Sequence, residues 1–189
     1  ITTWYKALNE AAELIHQNDT SHPVTTAHGE LPDAFARSSC TNVDVWGMNA
    51  YRWDHPDADD HSIFEEWSEV SSKPMYLSES GADSYMTIAS HGYDQGENQQ
   101  AQADANEKIL EAVFSNKRVC SGITLFSFTD GWWKAGNPRT QDAGGSAPNS
   151  GGVPYDGAPN EEYWGIVDID RNPKITFPVV KKIYQKNAR

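Results

Sequence analysis

Four short apolar runs separated by stretches of helical periodicity predict an α/β chain of repeated strand and helix units. The runs are Pro23-Val-Thr-Thr-Ala-His-Gly29, Val43-Asp-Val-Trp-Gly-Met-Asn-Ala-Tyr51, Lys73-Pro-Met-Tyr-Leu-Ser-Glu79 and Gly122-Ile-Thr-Leu-Phe-Ser-Phe-Thr-Asp130, and each ends in polar or aromatic side chains. Chemistry gathered at strand C-termini is the arrangement of a (β/α)8 TIM barrel, whose active site lies on that face. A complete barrel takes about 250 residues. With 189 residues and four visible units, the chain is expected to supply roughly the C-terminal half of one such catalytic domain.

The elements follow from local patterns. Trp4, Ala7, Leu8, Ala11, Ala12, Leu14 and Ile15 recur at helical spacing opposite Lys6, Asn9, Glu10 and Glu13, which predicts an amphipathic helix over 3–17 with that apolar set inward. Residues 18–23 are a turn signal, and 31–39 predict a short helix begun by Pro32. The strand through Val43, Val45 and Met48 finishes in Asn49, Tyr51 and Trp53. The acidic stretch 54–61 carries two His and four Asp, but its spacing fits no regular metal loop and reads as a solvated rim. Ile63, Phe64, Trp67 and Val70 mark a helix over 62–70 that leads into the Glu79 strand. A polar loop over 84–96 precedes the longest helix, 98–115, buried through Ala105, Ile109, Leu110, Val113 and Phe114. The next strand is expected over 123–128. A loop rich in Gly, Pro, Ser and Asn fills 136–160 and reads as a lid or pocket wall, and a last helix runs through Val179, Val180, Ile183 and Tyr184.

The bulk composition narrows the partners. Fifteen Lys and Arg against 27 Asp and Glu give a formal charge of −12, which repels nucleic acid and anionic membrane. No run approaches the roughly 18 apolar residues of a spanning helix. The first residues show neither an initiator Met nor a signal-peptide core, so the chain reads as processed or truncated. Cys40 and Cys120 allow at most one disulfide, lack zinc-ligand spacing, and read as small buried residues. No cofactor is expected.

The strand through Met75 and Leu77 delivers Glu79 to a rim, just before Gly81 stops it. In isolation such a Glu is a solvated loop acid; at the end of one of four strands facing the same way it is the candidate for chemistry. Glu30, following His28, and Asp83 are the other carboxylates near this face. Either could contact a ligand or serve a structural role, and His28 reads as a satisfied structural histidine.

Three motifs in order, Lys73-Pro-Met-Tyr-Leu-Ser-Glu79-Ser-Gly, Phe126-Ser-Phe-Thr-Asp-Gly-Trp-Trp-Lys134 and Tyr163-Trp-Gly-Ile-Val-Asp168, resemble strands seven and eight of the retaining β-glycosidases of clan A, nearest to family 2 barrels with a likeness to family 5. The resemblance covers nearly the whole chain. It implies that Glu79 is the catalytic nucleophile, that Tyr51 hydrogen-bonds it, and that Trp132 or Trp133 floors the subsite of the attacked sugar. Asn49, Trp53, His28 and Glu30 would be further substrate contacts. It also implies a retaining mechanism, a β-linked carbohydrate substrate and an extracellular or periplasmic location.

One departure from the family is large. Its acid/base is a Glu after an Asn on strand four, whereas the Asn9-Glu10 pair lies inside the first helix. The acid/base is therefore expected in the N-terminal half of the barrel, supplied as a separate chain or segment, which would also cover an apolar inner sheet face. The competing reading is a non-catalytic carbohydrate-binding half-barrel that stacks sugars on Trp53, Trp132 and Trp133.

Overall fold

The computed structural model describes residues 2–52, 62–144 and 160–187. In order, the elements are α1 (Thr2–Asn18), β1 (Thr25–Gly29), α2 (Ala34–Ser39), β2 (Val45–Asn49), α3 (Ser62–Val70), β3 (Met75–Ser80), β4 (Tyr85–Met86), β5 (Gly96–Glu97), α4 (Gln99–Ser115), β6 (Cys120–Leu125) and α5 (Thr176–Asn187). Strands β1, β2, β3 and β6 lie in that order and all pair in parallel, so helices serve as crossovers. β4 and β5 form a small antiparallel hairpin inside the stretch read from sequence as a polar loop. Among the described residues no helix is long and apolar enough to cross a membrane.

The core lies between one face of the sheet and the helices. Trp46 and Met48 of β2 and Met75 and Leu77 of β3 meet Ala36 of α2, Ile63, Phe64 and Trp67 of α3, and Ile109 and Val113 of α4 in one buried cluster. Residues two apart in a strand share a face, which is why these four strand residues all point to the helices. The Trp67 indole N–H donates to the Lys73 carbonyl at 2.7 Å and fixes α3 to the start of β3. Cys40 and Cys120 are buried free thiols.

The opposite face of the sheet is open. Thr25, Ala27 and Gly29 of β1 are exposed there, while Tyr76 and Ser78 of β3 are half-buried. The inner face expected to be apolar is instead small and polar, and Gly47 sits under the Tyr76 ring where a Cβ would collide with it. β1 and β6 form the two edges of the four-stranded sheet.

Three sequence expectations shift. α1 buries Tyr5 and Ala12 but leaves Trp4, Leu14 and Ile15 exposed, so its inward stripe is rotated from the one read off its periodicity. α2 begins at Ala34 rather than beside Pro32, because the Asp33 side chain caps it by accepting from the Ala36 N–H at 2.7 Å. β6 ends at Leu125 rather than at 128. Beyond Phe126 the backbone leaves β3: Ser127 N–H donates to Trp164 O at 3.0 Å, and Asp130 N–H to Val167 O at 3.1 Å. Two glycines permit this crossing. A Cβ on Gly81 would strike the Phe126 carbonyl oxygen, and one on Gly165 would strike the Asp130 amide nitrogen.

Candidate active site

Glu79 lies next to last in β3, at the C-terminal rim of the sheet, with its side chain half-exposed. The β2 to β3 register shifts between Met48 and Asn49, which brings Asn49 level with Glu79. Ala50 N–H donates to the Glu79 carbonyl at 3.0 Å, and the next residue turns its side chain onto the same glutamate. The Tyr51 hydroxyl donates to Glu79 Oε2 at 3.1 Å. A shift of this kind re-aims side chains at a strand end. Burial first, and the Glu79 charge second, push the Tyr51 hydroxyl well above the ordinary tyrosine range. Tyr51 therefore keeps its proton and remains a donor at neutral pH.

Aromatic rings hold Tyr51 in place. Trp164 packs edge-on against Tyr51 at 5.2 Å between centroids and against Phe126 at 5.6 Å, and Tyr51 and Phe126 meet at 6.4 Å. Trp164 is fully buried behind the other two. The Lys134 ammonium stands 3.9 Å from the Phe126 centroid and 3.1 Å from Glu161 Oε2.

Buried polar groups tie this backing together. Gln102 of α4 donates to Ala82 O at 2.9 Å and Gly165 O at 3.0 Å, joining the segment after Glu79 to the segment of Trp164. Asp130 accepts from Lys174 Nζ at 3.0 Å and from Gly165 N–H at 2.8 Å, with both charged side chains almost wholly buried. Burial raises the Asp130 carboxyl and lowers the Lys174 amine, each against the pull of its partner. Glu162, also fully buried, accepts from Ala135 N–H at 3.0 Å and Asp142 N–H at 2.6 Å. That carboxylate ties together the two ends of the 135–142 segment, just after Trp132, Trp133 and Lys134.

The residues singled out from sequence fall into three groups. Glu79, Tyr51 and Asn49 are brought together; Asn49 Oδ1 accepts from Ser78 Oγ at 2.7 Å on the same rim. His28 and Glu30 are engaged elsewhere. The His28 ring bonds the Tyr5 hydroxyl at 2.8 Å on the helix side of the sheet. Glu30, in the left-handed backbone region at φ 63, accepts from Arg52 at 2.7 and 2.9 Å. Trp132 is half-buried and Trp133 is 65% exposed, so these neighbours point differently. Trp53 and the acidic stretch 54–61 lie outside the described residues. Asp83 is buried and caps a turn by accepting from Tyr85 N–H at 2.8 Å. Glu10 is on the solvent side of α1, 3.8 Å from Lys6, in keeping with a surface ion pair.

Phe126, Trp164, Gln102 and Glu162 were not singled out from sequence. Phe126 and Trp164 were legible only as parts of motifs. Gln102 and Glu162 give no sequence signal, because a buried polar residue in a helix or loop looks like a solvated one until its partners are known.

No protein-family model matches the chain, and no curated protein matches it in sequence. Its backbone does match solved structures. A GH2 β-galacturonidase from Eisenbergiella tayi bound to galacturonate shares 26% identity at a TM-score of 0.62, over 96% of this chain and 30% of that one. A β-glucuronidase from Bifidobacterium dentium complexed with coumarin-3-O-glucuronide shares 20% identity at 0.62, over 96% of this chain and 27% of that one. An active-site mutant of a Rhizomucor miehei β-1,3-glucanosyltransferase in complex with laminaritriose shares 19% identity at 0.55, over 93% and 56%. The chain thus spans less than a third of the length of the first two. It is an α/β fold with a parallel sheet, of the kind found in glycoside hydrolases.

Proposed function

We propose that the chain supplies strands five to eight of a (β/α)8 barrel in a clan A retaining β-glycoside hydrolase that works outside the cytoplasm. The observation that carries this reading is the Tyr51 to Glu79 hydrogen bond of 3.1 Å at the C-terminal rim of adjacent parallel strands. A sugar-binding surface has no need of a carboxylate held by a tyrosine at a strand end, whereas double displacement does.

In this mechanism the Glu79 carboxylate attacks the anomeric carbon while a second carboxyl group protonates the leaving oxygen. A glycosyl ester on Glu79 forms, and water activated by the second group releases the sugar with retained configuration. Tyr51 aims Glu79 and donates to its carboxylate. Trp132 or Trp133, in the loop after β6, offers the aromatic floor for the attacked sugar. The acid/base comes from a strand beyond this sheet, about 5 to 5.5 Å from Glu79. The two open edges at β1 and β6, the exposed inner face, and the groove beside β6 lined by Phe114, Ile123 and Tyr184 are where the other half of the barrel would pack.

Solved structures sharing the fold hold galacturonate in one case and laminaritriose in another, so the fold leaves the sugar open. The exposed Trp133 favours a second reading, stacking of a polysaccharide without hydrolysis. Trapping separates the two. A 2-deoxy-2-fluoro β-glycoside with a good leaving group should add one glycosyl mass to the peptide containing Glu79 in the complete barrel, and Glu79→Gln should abolish both labelling and turnover. Labelling of a different residue, or substrate binding with no turnover by the folded protein, would overturn the reading.

A further inference from the structure

β2 ends at Asn49, and the residues just past it carry Tyr51 to Glu79. One side of this stretch is tied to Glu79 itself, whose carbonyl accepts the Ala50 N–H at 3.0 Å. The other side is tied to Glu30, the residue after β1, at two points that flank Tyr51. The Glu30 N–H donates to the Asn49 carbonyl at 3.2 Å, and Arg52 donates to Glu30 Oε2 from Nη2 at 2.7 Å and from Nε at 2.9 Å. A third nitrogen of the same guanidinium, Nη1, donates to Glu66 Oε1 of α3 at 2.9 Å. The planar fork of the arginine thus fixes Arg52 against a strand end and a helix at once, in a geometry that a lysine ammonium does not reproduce.

Stability is a poor account of this arrangement. The side chains of Glu30 and Glu66 are 42% and 47% exposed, and ion pairs so open to solvent contribute little to the fold. Glu30 also adopts φ 63, a left-handed conformation that disfavours any residue with a Cβ. In that conformation both its N–H and its carboxylate meet the 49–52 segment.

Building on the hydrolase reading, we propose that Arg52 and Glu30 are positioning residues, a clamp on either side of Tyr51 that keeps its hydroxyl aimed at Glu79. Neither side chain needs to touch the sugar. Glu30, whose place at a strand end suggested a substrate contact, acts on the reaction through Tyr51 instead.

The test uses the enzyme with its barrel complete and a panel of aryl β-glycosides. A double-mutant cycle pairs Arg52→Met with Tyr51→Phe, each variant checked for folding by thermal unfolding. Arg52→Met should lower kcat about tenfold and leave KM within about twofold, because the aim it supplies matters in the transition state. In the Tyr51→Phe background there is no hydroxyl to aim, and the same change should lower kcat by less than about twofold. Glu30→Gly removes the carboxylate but eases the left-handed backbone and keeps the N–H bond to Asn49. It should therefore fold and lower kcat about fivefold, with the same dependence on the Tyr51 hydroxyl. Equal losses in both backgrounds, a loss carried by KM, or folded variants with wild-type kinetics overturn the positioning role while hydrolysis still stands. Unfolding of both Arg52→Met and Glu30→Gly overturns it too, since the clamp would then serve the fold at large. Failure of folded wild type to cleave any aryl β-glycoside counts instead against the hydrolase reading, and the inference falls with it.

Discussion

Tyr51 and Glu79, 28 residues apart in the chain, meet across the β2 and β3 pair with the tyrosine hydroxyl 3.1 Å from Glu79 Oε2. The backbone adds a second tie one residue earlier, Ala50 N–H to Glu79 O at 3.0 Å, so the two side chains share one anchored strand junction. Removing only the hydroxyl isolates its role. A hydrogen bond to a charged group contributes about 1.5–3 kcal/mol. Tyr51→Phe should therefore lower kcat/KM on an aryl β-glycoside by about 10- to 100-fold, at tenfold per 1.36 kcal/mol. The ring still packs against Trp164, so the unfolding midpoint should barely move. Unchanged kinetics in steady-state assays would remove Tyr51 from the site.

Trp132 and Trp133 should respond unequally to truncation. Trp133 is largely in solvent, so Trp133→Ala should change stability by less than about 0.5 kcal/mol. Trp132 is half-buried and its indole nitrogen is shielded with no hydrogen-bond partner among the described residues. Trp132→Ala should cost about 1 kcal/mol or more in stability, from lost aromatic packing. Urea unfolding of both variants, together with KM for a β-linked oligosaccharide, decides which of the two also serves the sugar; equal losses in both would contradict the different placements.

The buried Asp130 and Lys174 pair predicts a strongly asymmetric mutant cycle. Asp130→Asn strands the Lys174 charge in a site where burial already disfavours it, at a cost of about 3–5 kcal/mol. Replacing both by apolar residues of similar volume should cost less than either single change. Denaturant midpoints of the two singles and the double check this. Because Asp130 also accepts the Gly165 N–H beside Trp164, the single variants should lose activity as well as stability.

Alkaline pH should loosen the fold before it ionises the site. Burial, followed by the charge of Tyr85 and nearby carboxylates, pushes the Tyr163 hydroxyl up to about 12. The unfolded chain ionises tyrosine near pH 10 and the folded chain only near pH 12, so the unfolded state sheds protons first. This contribution to stability is fully present below about pH 10 and is lost as pH rises from there through about 12. Urea midpoints followed from pH 8 upward should fall in that window, and Tyr163→Phe should flatten the fall.

Periodicity made the parallel strand and helix order legible, along with the rim position of Glu79. Strand residues such as Trp46, Met48, Met75 and Leu77 announce their buried face directly. Other features depend on contacts that no local pattern encodes. The inward stripe of α1 is set by where Tyr5 meets His28 and Cys40, so Trp4 and Leu14 fall outside it despite their spacing. The end of β6 is decided by backbone bonds to residues 164–167, some 40 positions later. His28 illustrates the same limit within the site: its position at a strand end suggested chemistry, and Tyr5, 23 residues earlier, engages it instead.

The close passage of backbone at Gly81 and Gly165 bears on how this chain can change over time. Behind Glu79 no volume remains for even one added methyl, since carbonyl and amide groups of the neighbouring segment already occupy it. Drift there is confined to near-silence. The 131–144 loop, by contrast, can vary without moving Glu79. Descendants of this chain should therefore differ in that loop and keep the two glycines.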